Sequence, residues 1–135
     1  MSHYTRQPTQ FVDGECLARA LRELFPKVEL HEQPQPLYGY HGDVRPEKAH
    51  VIVRRQHVGS SSNDLGFVRR PDGRYELIVS EFDSGTLGYN ASWLGWLSQK
   101  YAVHATQKAL GKKFQRVSKT EKNGRITMKY RRVVA

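Results

Sequence analysis

The stretch "LGFVRRPDGRYELIVSEF", residues 65–82, constrains the fold more than any other part of the chain. Pro71-Asp72 suits a type I turn and Gly73 suits the bulge position after it, which pairs Arg70 with Arg74. Counting outward from that pair puts Leu65, Phe67, Tyr75, Leu77 and Val79 on one face of a β-hairpin. A hairpin apolar on one face needs a second layer to cover it. The expected class is therefore α+β, built on an antiparallel sheet.

The covering layer is legible on either side. "FVDGECLARALRELFP" reads as a helix with Asp13 as N-cap and Val12 stapled to Leu17. Its apolar stripe is Leu17, Ala20, Leu21 and Leu24, and Pro26 stops it. "ASWLGWLSQKYAVHATQKAL" reads as a second helix, capped by Asn90 or Ser92 and ended at Gly111 in a left-handed conformation. Leu94, Leu97, Tyr101 and Ala105 form its inward stripe, with Trp93 beside them. "SHYTRQPTQF" suits a strand whose Pro8 marks an edge. "KVELHEQ" alternates as a strand should, "QPQPLYGYHGDVRPEK" reads as a long connection, and "HVIVRRQH" as an inner strand.

A last hairpin turns at Asn123-Gly124 and occupies about residues 115–134. The expected order is β-α-β-β-β-β-α-β-β, a single two-layer sandwich with a mostly antiparallel sheet and two helices on one face. At 135 residues the chain supports one domain, 1–135, and not two.

Charge is distributed unevenly. The chain carries 22 Lys and Arg against 13 Asp and Glu, a net +9. From Gln99 onward there are eleven basic residues and one acid, Glu121, so the last third alone is +10 and the rest is −1. A two-residue turn pairs Lys122 with Arg125, Ser118 with Lys129, Val117 with Tyr130 and Arg116 with Arg131. Val117, Ile126, Met128 and Tyr130 then face inward, and Arg116, Lys122, Arg125, Lys129 and Arg131 face outward. Lys108, Lys112 and Lys113, at the end of the preceding helix, extend this basic surface. Like charges on one ribbon repel, so an anion would relieve them, although the same lysines and arginines also serve solubility and protect an edge. The outward face has no aromatic, so contact with nucleic acid there would be to phosphates, with little sequence preference.

No other motif carries a reaction. The histidines, His3, His31, His41, His50, His57 and His104, show no metal-ligand spacing, and Cys16 is the only cysteine. Cys16 reads as a small core residue beside Leu17. No Walker-type or dinucleotide loop occurs, and the carboxylates read as caps, turns and strand ends. No metal site, cofactor or catalytic residue is expected. Trp93 and Trp96 share one side of the second helix, and an exposed Trp96 would offer a protein contact. Without a signal-type apolar run or a membrane-length segment, a cytoplasmic protein with no membrane contact is expected.

Several segments together resemble a known family: "MSHYT", "LYGYHGDVRPEKAHVIVRR", "DLGFV" with "YELIVSEF", and "WLSQKYAVHAT". They are similar in kind and order to the uncharacterised family called hypothetical chloroplast reading frame thirty-five. The resemblance implies a single-domain protein with no established activity, whose relatives are sometimes encoded near ring-forming AAA+ ATPases, which suits an accessory subunit. The "GSSSN" insertion and the strongly basic last hairpin depart from the family's pattern. Two functional expectations follow. One is a non-catalytic module that holds an anionic partner such as nucleic acid. The other is an adaptor in a multi-protein assembly, with a small enzyme as a third class.

Overall fold

The computed structural model describes residues 3–111 and 114–132, and of residues 114–118, 122 and 130–132 the backbone alone. In chain order the elements are β1 (Tyr4–Pro8), α1 (Gly14–Arg22), β2 (Glu29–Tyr38), β3 (Val44–Val53), α2 (Arg55–Val58), β4 (Leu65–Arg69), β5 (Tyr75–Ser80), α3 (Glu81–Gly85), α4 (Ala91–Leu110), β6 (Phe114–Lys122) and β7 (Arg125–Arg132). Without the two short helices, this is the expected order. Strands β1-β5-β4-β3-β2 form one antiparallel sheet, while β6 and β7 form a separate two-stranded ribbon. The fold is α+β.

The register of the β4–β5 hairpin agrees with the turn chemistry. Arg70 N–H donates to Arg74 O and Gly73 N–H to Arg70 O, with Gly73 at φ 87°. Leu65, Phe67, Tyr75, Leu77 and Val79 enter one core, with Val51 and Val53 of β3 and Leu17, Ala20 and Leu21 of α1. Leu94 and Leu97 of α4 close the same layer. Both caps hold: Asp13 Oδ1 accepts from Cys16 N–H, and Asn90 Oδ1 accepts from Ser92 and Trp93 N–H. Cys16 is buried, and desolvation raises its thiol pKa.

Four expectations need correction. Val12 is 59% exposed and does not staple Leu17. Leu24 lies beyond the end of α1 and is exposed, and Phe25, whose N–H reaches Leu21 O, is buried in its place. Most of the expected connection "QPQPLYGYHGDVRPEK" is strand, turning over residues 39–43. Prolines 34 and 36 are tolerated because β2 is an edge strand, where a missing N–H breaks no ladder. Finally, the ladder of β6 and β7 shifts between Arg116 and Ser118, so Arg116 pairs with Tyr130 and Gln115 with Arg131. One extra residue in β6, a β-bulge, moves Arg116 off the rung expected for it.

The second face of the sheet is covered by the sheet's own edge. The β2–β3 ladder is irregular between Leu30 and Gln35 and between Pro36 and Tyr38. The ribbon brings Leu37 and Ala49 together with Ile52 and Ile78, with Tyr4 and Val68 packed against them. Gly66 makes this approach possible. A methyl built on it would lie 2.5 Å from the Ala49 Cβ and 3.0 Å from a Leu37 methyl.

Candidate functional site

The basic ribbon, β6–β7, carries several of the cations expected to hold an anion. Asn123 and Gly124 turn it with φ 54° and 75°, the pair of positive values that a two-residue turn of this hand requires. On one side of the ladder, Thr120, Arg125, Thr127 and Lys129 are all exposed. On the other side Ile126 and Met128 are half-buried, and Glu121 pairs with Lys100 of α4 at 3.4 Å. The side chain of Gln99 also donates to Gly124 O. The only acid of the last third of the chain is therefore turned away from Arg125 and Lys129 and matched elsewhere. Among the described residues neither of those two cations has a carboxylate partner.

The other residues expected at this surface are placed differently. Lys108 donates to Asp13 Oδ2 at 2.6 Å, tying the end of α4 to the cap of α1. That hydrogen bond raises the Lys108 pKa and lowers that of Asp13. Lys112 and Lys113 lie outside the described residues, and for Arg116, Lys122 and Arg131 only the backbone register is described. Trp96 is half-buried against the core, with the Lys100 ammonium 5.5 Å from its ring centroid. His104 Nε2 donates to Glu23 Oε2 at 2.9 Å, a structural bond between α4 and the end of α1.

A polar assembly drawn from residues far apart in the sequence joins β2 to the segments on either side of α2. Arg54 contacts Glu29 through Nε at 2.9 Å and Nη2 at 3.0 Å, and Nη1 reaches Asp64 at 2.8 Å and Pro36 O at 3.1 Å. Asp64, 1% exposed, also accepts the N–H groups of Tyr38 and Arg55 at 2.8 and 2.7 Å. The Arg54 hydrogen bond holds the Glu29 carboxyl below its ordinary value, against the desolvation that would raise it. Tyr4 donates to Asp64 O at 2.8 Å, and burial raises its phenol pKa.

Next to this assembly is a cleft of about 250 Å³ lined by Tyr40, His41, Asp43, Arg45, Ser61, Asn63 and Phe82. Asn63 Oδ1 accepts from Tyr40 N–H at 2.9 Å, and Asn63 N–H donates to buried Asp83 at 3.1 Å. Asp83 in turn accepts from the Ser80 hydroxyl at 2.7 Å. The Ser80-x-x-Asp83 pattern is a capping signature for α3 and is the signal by which this helix could have been found.

An open cleft of about 480 Å³ includes His31, His50, Glu32, Arg69 and Tyr75. His31 lies 2.8 Å from Glu29, and His50 Nδ1 accepts from Arg69 N–H at 3.0 Å. Desolvation, then Arg69 and His31, lower the His50 pKa. The Glu29 oxygens already serve Arg54, so this His–Glu pair is held by structural bonds. Among the described residues no cluster of three His, Cys, Asp or Glu could hold a metal ion, and no helix is long and apolar enough to cross a membrane.

The profile of a family described as "Protein of unknown function (DUF1257)" matches residues 20–129. Searches of curated proteins and of solved structures return no match.

Proposed function

Because the chain belongs to the DUF1257 family, whose function is unknown, we propose on physical grounds that it is a non-catalytic binding module for an anionic polymer, with the phosphate backbone of a nucleic acid as its partner. We read the family further as that of hypothetical chloroplast reading frame thirty-five, from the motifs "MSHYT", "LYGYHGDVRPEKAHVIVRR", "DLGFV" with "YELIVSEF", and "WLSQKYAVHAT". One observation supports the binding role most. The face of the β6–β7 ribbon that carries Thr120, Arg125, Thr127 and Lys129 is exposed and lacks a carboxylate, while Glu121 is paired with Lys100 on the other side. Like charges left without counter-ions on a short ribbon favour an anion, and hydroxyls between them suit phosphate oxygens.

Fluorescence anisotropy with a labelled single-stranded RNA and a DNA duplex tests this. With about three phosphate contacts, affinity for the duplex falls about 40-fold between about 50 and about 200 mM salt. The double variant Arg125→Glu with Lys129→Glu removes binding and flattens that dependence while the domain stays folded. Unchanged binding by this variant overturns the proposal. The adaptor role, which rested on an exposed Trp96, has less support from a half-buried indole lying under Lys100.

A further inference from the structure

The cleft at the β2–β3 turn is more than a crevice between loops. Its walls are fixed from below. Asn63 holds Tyr40 N–H, Asp64 holds Tyr38 N–H, and Asp83 holds Asn63 N–H, so three buried side chains set the backbone around it. The turn above is closed by Gly39 N–H to Asp43 O at 2.8 Å and Gly42 N–H to Gly39 O at 2.9 Å, with Gly42 at φ 78°. Tyr40 and Phe82 are 45% and 37% exposed, so both lining rings keep accessible surface. The Arg55 guanidinium lies 5.9 Å from the Tyr40 centroid, and the His41 ring 5.0 Å from it.

The polar groups decide what such a cleft accepts. Asn63 is 5% exposed and its amide orientation is settled, because Oδ1 must face the Tyr40 N–H. Its Nδ2, on a side chain that lines the cleft, is buried and has no hydrogen-bond partner. Asp43 offers a carboxylate acceptor and Ser61 a hydroxyl. A purely apolar side chain in the cleft would give Asn63 Nδ2 no acceptor and would bury the Ser61 hydroxyl without a partner, which is costly. A free phosphate would meet the Asp43 carboxylate, which already lies 3.5 Å from Arg45. A whole dinucleotide or flavin is too large, since about 250 Å³ is below the usual range for such sites.

We infer that this cleft takes one unstacked nucleobase, a flat heterocycle with a carbonyl acceptor for Asn63 Nδ2 and an N–H donor for Asp43, stacked on the Tyr40 or Phe82 ring. Aromatic and guanidinium planes beside an amide edge are the groups by which single-stranded bases are recognised. The site is separate from the basic ribbon and supplies the stacking surface that the ribbon's outer face lacks.

The four free ribonucleosides test the inference. They carry no phosphate, so the cations of the ribbon do not contribute, and the outcome is independent of the function proposed above. Titration followed by NMR is expected to shift Tyr40, His41, Asn63 and Phe82, with unequal affinity among the four bases. At least one of Phe82→Ala and Tyr40→Ala, both at exposed rings, should weaken binding about tenfold while the resonances of Val51 and Leu77 stay in place, and no loss from either overturns the inference. Asn63→Asp, which exchanges a donor for an acceptor, should change the order of preference among the bases. If no nucleoside shifts these residues, the inference is wrong. It is equally overturned if an acidic peptide with one central phenylalanine shifts them and the nucleosides do not, since the cleft is then a protein contact.

Discussion

The β2–β3 ribbon and the β6–β7 ribbon are both twisted antiparallel pairs rich in charge, yet they dispose of that charge in opposite ways. In the first, the guanidinium groups of the ribbon and of the residue that follows it have fixed places. Arg54 is shared between Glu29 and Asp64, and Arg45 pairs with Asp43. The ribbon folds over the sheet and becomes part of a core. In the second, the single acid is matched from behind by Lys100, and Arg125 and Lys129 stand exposed. The paired arginines belong to the region that holds the fold together, and the exposed cations of the second ribbon to a region free to meet something else. Four measurements can break or sharpen that contrast.

The largest effect is expected at Asp64. Asp64→Ala removes the buried partner of Arg54 together with the acceptor for Tyr38 and Arg55 N–H. Arg54 keeps Glu29, but two N–H groups lose their acceptor, at about 1–3 kcal/mol each. Urea unfolding should show the midpoint falling accordingly. A loss below about 1 kcal/mol, the level of an exposed ion pair, would mean the assembly is no better fixed than a surface pair.

Gly66→Ala comes next. The added methyl must displace Ala49 or Leu37, where the bent ribbon meets the sheet. Overpacking of this sort costs about 1–3 kcal/mol. Pairing it with Ala49→Gly should recover part of the loss, because the closest atom is then gone. No recovery would place the strain in the backbone and not in that contact.

The third measurement uses pH. The Glu29 pKa is lowered in the fold, chiefly by the Arg54 hydrogen bond. A carboxylate lowered in this way contributes stability that is fully present above its unfolded value, 4.5, and is lost as pH falls through the lower folded value. Glu29→Gln should therefore destabilise the protein near neutrality and make its stability less sensitive to acid. An acid limb as steep as that of the parent protein would remove Glu29 from the account.

What could be read from the chain divides along the same line. Turn chemistry at Asp72-Gly73 and Asn123-Gly124, and the caps Asp13 and Asn90, act over a few residues, so they were legible. So was the face of Leu65, Phe67, Tyr75, Leu77 and Val79, because a tight turn propagates its register along two strands. The polar assembly was not legible. Its members, Glu29, Arg54, Asp64 and Asp83, come from four separate elements or connections, and each alone looks like an ordinary surface residue. The prolines of β2 misled for a related reason: they exclude an inner strand, and only the sheet order shows that β2 is an edge. The shift at Arg116–Ser118 was invisible because no glycine or proline marks it. The short helices α2 and α3 have too few residues for a helical period to show.

The smallest expected change in stability is the one that matters most for function. Arg125→Glu and Lys129→Glu alter exposed positions on a ribbon whose other face makes the contacts with α4. Substitutions at such positions usually move stability by no more than about 0.5 kcal/mol in either direction. Removing repulsion between cations would favour the upper end of that range, so the variant should unfold at the same denaturant concentration as its parent or slightly above it. Glu121→Gln is the matched control, since it releases Lys100 and changes the net charge in the opposite direction. If Glu121→Gln strengthens nucleic-acid binding and the double reversal abolishes it, both at nearly constant stability, then charge on this ribbon is set by binding and not by folding. If the double reversal instead lowers the unfolding midpoint as much as Gly66→Ala does, the ribbon is a structural member of the domain, and the contrast with β2–β3 fails.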